Sequence, residues 1–138
     1  MAPMVASRPM FSWKRPADLG VKDGRLAPCK RTPNCVCSQA DPQDPEHYIA
    51  PIAFKGPAPE LRKAVESMER STVIAAEGGY LYAEFRTRLM RYVDDLELWY
   101  DERAGRVHVR SASRLGRRDF GVNRNRVEAL RRIIQAPR

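Results

Sequence analysis

No apolar run in the 138 residues approaches the roughly 18 that a membrane-spanning helix needs, so no span is expected and the composition reads as that of a soluble protein. Histidine is scarce: His47 and His108 are the whole supply. Nothing local places a serine or cysteine beside His108, so a nucleophile–histidine–acid triad has no support in the order of residues. Cysteine is scarce too, and the count is odd: Cys29, Cys35 and Cys37. A close, odd cluster argues against a secreted disulfide framework and favours reduced, partly buried thiols. A zinc site drawn from Cys29, Cys35, Cys37 and His47 is chemically possible, but the spacing matches no common module. No metal and no cofactor is expected. The chain also lacks the Gly-x-x-x-x-Gly-Lys-Ser/Thr phosphate loop, which argues against nucleoside triphosphate hydrolysis. It has no helix-turn-helix or aromatic-rich RNA motif, no internal repeat and no low-complexity tract. The stretch Met1 to Met10 contains Pro3, Arg8 and Pro9 and has no apolar core, so it does not read as a secretory signal.

What is abundant is arginine. Lysine and arginine number 25 against 17 acidic residues, for a net charge of +8. Such a balance suits anionic partners, and the guanidinium is a planar fork of donors matched to phosphate and carboxylate. Residues 1–27 read as a flexible basic arm of a cytoplasmic protein, with an organellar transit role as the alternative, and residues 28–138 as one α+β domain. From Ala27 to Pro51 the chain is too rich in proline and aspartate for long regular elements and should wrap the surface. A short strand at Ile52-Ala53-Phe54 precedes a helix opened by Pro59, with Leu61, Ala64, Val65 and Met68 on one face. Strands follow at Ser71–Glu77, Tyr80–Leu89, Asp94–Tyr100 and Arg106–Arg114, with Gly78-Gly79 as a hairpin turn. A last helix starts near Asn123 as N-cap, with Val127, Leu130 and Ile134 as its stripe. This order predicts a two-layer α+β domain: an antiparallel sheet of four to five strands, two helices on one face and an irregular N-terminal wrap.

Several separated blocks carry a resemblance. Pro33-Asn34-Cys35-Val36-Cys37-Ser38, Val93-Asp94-Asp95-Leu96-Glu97, Arg110-Ser111-Ala112-Ser113-Arg114 and Asp119-Phe120-Gly121-Val122-Asn123-Arg124-Asn125-Arg126 occur in the order seen in the family catalogued as Domain of Unknown Function 1499. The chain resembles that family over about residues 29–135. The resemblance implies no activity, and the family usually has Ser where this chain has Cys37, which weakens a metal role for the cysteines.

The densest polar cluster lies in the last third. Arg110, Ser111, Ser113, Arg114, Asn123 and Arg126 are the candidate anion site: a helix N-terminus with nearby guanidinium groups is a ready cradle for phosphate, carboxylate or sulfate. Asp119, between Gly116 and Gly121, is expected to pair with Arg114 or Arg126 and orient them. Asp94 and Asp95 are adjacent, so on a strand they point to opposite faces and cannot form a dyad. The expected function is a non-catalytic binding or accessory domain for a small anion or an acidic partner, with homo-oligomerisation open. One alternative is a hydrolase using Asp95 or His108. Another is single-stranded nucleic-acid binding with Tyr80, Tyr82 and Trp99 as a stacking platform on an open sheet face.

Overall fold

Alternation of apolar and polar residues dominates the chain after Ser71, and it builds the sheet. The structure, a computed structural model, describes residues 14–89 and 92–137. Its strands are β1 (Cys35–Cys37), β2 (Ile52–Ala53), β3 (Ser71–Glu77), β4 (Tyr80–Arg86), β5 (Val93–Asp101) and β6 (Arg106–Ser113). Its helices are α1 (Pro59–Glu66) and α2 (Val122–Ile134). The strands form one antiparallel sheet in the order β1-β6-β5-β4-β3, with β2 also pairing to β6. The α+β class and the two-helix arrangement are as expected. The sheet has six strands rather than four or five, because β1 is three residues inside a proline- and cysteine-rich stretch, too short to show a period. Strand β4 is shorter than expected: it ends at Arg86, so Thr87 and Leu89 leave the sheet.

One face of the sheet is apolar. Leu81, Ala83 and Phe85 of β4, Leu96 and Leu98 of β5, and Val107 and Val109 of β6 pack with Leu61 and Val65 of α1 and Val127 and Leu130 of α2. Both helices therefore cover the same face, as one-sided amphipathic helices must. At the start of α2 the N-cap is Gly121, in the left-handed region at φ 82°. Asn123, expected as the cap, is inside the helix and fully buried.

The opposite face is covered by the N-terminal segment. The flexible arm expected over residues 1–27 is, for residues 14–27, laid across the sheet; residues 1–13, including the stretch read for targeting, lie outside the described residues. Arg15 Nε donates to Glu84 Oε2 at 2.6 Å, the Gly20 N–H to Glu97 Oε2 at 2.7 Å, and Asp18 pairs with Arg110 at 3.3 Å. Leu26 is buried at the end of this segment.

The cysteines correct a second expectation. Cys29 and Cys35 form a disulfide, their Cα atoms 5.7 Å apart, and Cys37 is the buried free thiol. An odd count allows one pair with a remainder; only the turn of the chain between residues 29 and 35 decides which. His47 is tied into the wrap, Nδ1 2.7 Å from Asp44 Oδ2 and Nε2 2.9 Å from the Thr32 carbonyl oxygen. The four-residue zinc site is thus not assembled. Among the described residues no group of three or more His, Cys, Asp and Glu side chains is arranged to hold a metal, and no helix is long and apolar enough to cross a membrane.

Candidate functional site

Strand β6 places its side chains alternately on the two faces. That one fact divides the six candidate residues. Ser111 and Ser113 point to the helices, where they meet Asn123 and Arg126. Arg110 and Arg114 point to the arm. The guanidinium groups do not converge on a shared point, which corrects the single cradle expected from the sequence.

The helix-side cluster is closed on itself. The Ser111 hydroxyl donates to Asn123 Oδ1 at 2.6 Å. Arg126 Nη1 donates to the same oxygen at 2.7 Å and to Ser111 Oγ at 3.1 Å, while its Nη2 donates to Asp94 Oδ2 at 2.7 Å. Asn123 Nδ2 donates to Ser113 Oγ, Asp119 Oδ2 and the Asn34 carbonyl. The Arg126 guanidinium also lies over the Phe85 ring, 4.7 Å from its centroid. Burial pushes the Asp94 carboxyl up despite Arg126 beside it, so this pair contributes specificity of packing more than net stability. Asp119 does not orient an arginine here. Its carboxylate accepts the backbone N–H groups of Gly121 at 2.9 Å and Asn123 at 3.0 Å and so caps α2. Burial alone would raise its carboxyl, but the hydrogen bonds from Asn123 and the backbone hold it below the usual range. The donors expected to cradle an anion at this helix start are already used by the protein.

The arm-side cluster is a charged lattice. Arg114 Nε donates to Asp95 Oδ2 at 2.9 Å, and Nη2 reaches Asp95 Oδ1 at 2.8 Å and Glu84 Oε2 at 2.7 Å. The Tyr82 hydroxyl donates to Asp95, and that of Tyr80 to Glu97. Burial first, then these carboxylates, push both phenols well above their ordinary range. Glu84 is also resisted by burial, yet Arg15, Tyr82 and Arg114 together hold it at about 2. Arg110 Nη1 donates to Glu97 Oε1 at 3.0 Å. Its Nε–H is buried and has no acceptor among the described residues. Tyr82 is buried beneath Arg15, whose guanidinium stands 5.8 Å from the ring centroid. Of the stacking platform expected from Tyr80, Tyr82 and Trp99, the Tyr82 ring is therefore covered by the arm. Asp94 and Asp95 do face opposite sides, each with its own arginine.

Between the arm, the loop before β1 and the outer end of β6 lies a cavity of about 600 Å³. Arg110, Arg114, Asp95 and Ser113 line it, as the sequence reading would have them near a site. Lys14, Lys30, Asp18 and Asn34 line it as well, with Pro16, Ala17, Ala112 and Cys35 as its apolar wall. These further residues were missed because Lys14 lies in the arm, far along the chain from β6, and no local pattern links them. The lining holds four cationic side chains against two carboxylates. Lys14 and Lys30 form no ion pair with a described residue.

His108 belongs elsewhere. Its Nδ1 is 3.0 Å from Ser38 Oγ, which also accepts the Val109 N–H at 2.9 Å. Burial, then the charges of Arg106 and Arg25, lower its imidazole below the ordinary value, so it is neutral at pH 7 and fit to accept from the Ser38 hydroxyl. Ser38 is in turn anchored on β6 through its own N–H to the Val109 carbonyl. The pair ties the end of β1 to β6, and it lines a separate cavity with Gln39, Asp101 and Arg106.

No curated protein matches the chain, and no solved structure does. A family model, described as Protein of unknown function (DUF1499), matches residues 25–134. That is most of the chain, from the end of the arm through the last helix, and the protein belongs to this family.

Proposed function

We propose that the protein is a non-catalytic binding domain for a small organic anion, held in the cavity between the N-terminal arm and β6. The observation that carries this is Arg110: its buried Nε–H lacks an acceptor among the described residues, and the residue lines a cavity that Lys14 and Lys30 also border. A buried donor without a partner is unfavourable by about 1–3 kcal/mol, and an anion in the cavity that Arg110 borders would offset that cost by its charge rather than by direct contact with the enclosed Nε–H. Lys14 and Lys30 would supply charge. Pro16, Ala17, Ala112 and the Cys29–Cys35 disulfide would take the apolar part of the ligand. Small-molecule sites commonly combine such a mostly apolar wall with a few placed polar groups.

What supports binding over hydrolysis is the state of the acids and bases. Both oxygens of Asp95 are engaged by Arg114, one of them also by Tyr82. His108 sits on another cavity. Arg126, Asn123 and Ser111 then have a structural part, as do Asp94, Asp119, Gly116 and Gly121.

Calorimetric titration of the full chain with inorganic phosphate and with a series of carboxylates of growing alkyl length tests the proposal. Affinity is expected to rise with chain length and to fall at least about tenfold, near 1.4 kcal/mol, in Lys14→Ala/Lys30→Ala, both sites being exposed. Absence of binding for every anion, or an unchanged affinity in the folded double variant, rejects it.

A further inference from the structure

The end of the sheet where β4 finishes, β5 begins and β6 finishes carries two apolar side chains in water. Phe120 is 91% exposed and Leu89 79%. Phe120 is in the left-handed region, φ 54°, where a bulky side chain is disfavoured. The turn that holds it is pinned on the far side by the Asp119 carboxylate on the Gly121 and Asn123 N–H groups. Folding alone gives no reason to present a phenyl ring outward there. The loops bearing the two side chains are neighbours: the Arg114 N–H reaches the Val93 carbonyl, and the Thr87 N–H the Tyr92 carbonyl.

The end of β4 and the same two loops carry Arg86, Arg88, Arg117 and Arg118, all exposed, none in an ion pair with a described residue. The nearby acids do not offset them. Asp119 is turned into the helix cap, and Glu69 is taken by Arg70. Beside the loops a groove of about 530 Å³ runs between α2 and the end of β4, with Met68, Phe85, Val122 and Ile133 as its apolar floor.

We propose that this end of the molecule docks on an anionic phospholipid surface, with Phe120 and Leu89 entering the headgroup–acyl boundary and the four arginines pairing with phosphate. Apolar side chains that insert and a cationic ring that attracts are the two ingredients of interfacial binding. A single exposed aromatic does not make a stacking platform, so a nucleic acid fits the surface less well. The inference is independent of the cavity proposed above, and Lys14→Ala/Lys30→Ala is expected to leave the contribution of Phe120 and Leu89 intact.

Co-sedimentation of the full chain with phosphatidylcholine vesicles, with and without phosphatidylglycerol, tests it, a single-stranded oligonucleotide serving as competitor. Binding is expected only with phosphatidylglycerol, weakening as salt rises. Phe120→Ser/Leu89→Ser and Arg117→Glu/Arg118→Glu are each expected to reduce it at least about tenfold; all four side chains are exposed, and retained folding is checked by circular dichroism. No vesicle binding, equal binding to neutral vesicles, or binding that survives Phe120→Ser/Leu89→Ser overturns the proposal. Binding of the oligonucleotide in a Phe120-dependent manner without vesicle binding overturns it equally.

Discussion

Glu84 accepts hydrogen bonds from Arg15 and Arg114 and lies 2.9 Å from the Tyr82 hydroxyl, and these neighbours hold its carboxyl at about 2 against an ordinary value of 4.5. A carboxylate depressed in the folded state stabilises the fold above its ordinary value. That contribution is lost as pH falls through the folded value. Urea denaturation followed from neutral pH downward is therefore expected to show wild-type stability falling between about pH 4.5 and 2. Glu84→Gln should be less stable than wild type at neutral pH, with the difference shrinking across that window. A constant difference between the two proteins would show that the Glu84 interactions do not depend on its charge. The presence of acid on the open face was legible, since Glu84, Asp95 and Glu97 alternate with apolar neighbours. Their partners were not, because Arg15 and Arg114 come from segments that only folding brings together.

Helix α2 shows how an element can be found correctly while its start is misassigned. Its stripe of Val127 and Leu130 is buried as the period requires. Asn123 looked like a cap because asparagine favours that position. Asp119 performs the role instead, from four residues earlier, because the left-handed Gly121 folds the preceding turn back onto the first N–H groups. Asn123 is thereby freed to bridge Ser111, Ser113 and Asn34 inside the molecule. Asp119→Ala is expected to cost about 1–2 kcal/mol in chemical denaturation; the larger end of that range is favoured because Asn123 Nδ2 also loses an acceptor. A change indistinguishable from zero would mean that water replaces the cap. Strand β6 makes the complementary point: its alternation, readable residue by residue, sets Arg110 and Arg114 opposite Ser111 and Ser113, but only the fold puts Arg126 on the serine side.

At the scale of the whole molecule, the N-terminal arm turns a one-sided sheet into a three-layer arrangement over residues 14–27. Its backbone reaches the buried Glu97 through the Gly20 N–H, and its side chains reach Glu84 and Arg110. A chain beginning at residue 21 is expected to lose about 2 kcal/mol, the worth of one hydrogen bond to a charged acceptor, the solvent-facing pairs adding little. It should also bind no anion in the proposed cavity, since Lys14, Pro16, Ala17 and Asp18 form one wall. Unchanged stability in the shortened chain would show that the arm is an ornament of the sheet and not its cover.

The sequence alone determined the α+β class, the positions of both helices and the four long strands, and which face of β4, β5 and β6 is apolar. These follow from local periodicity, which depends on residues a few places apart. Tertiary structure decided the strand at Cys35–Cys37, the acidic partners of Arg110, Arg114 and Arg126, and the cavity that Lys14 and Lys30 border. Each of those depends on segments distant in the chain meeting in space, and no pattern within a single segment records which distant side chain will arrive.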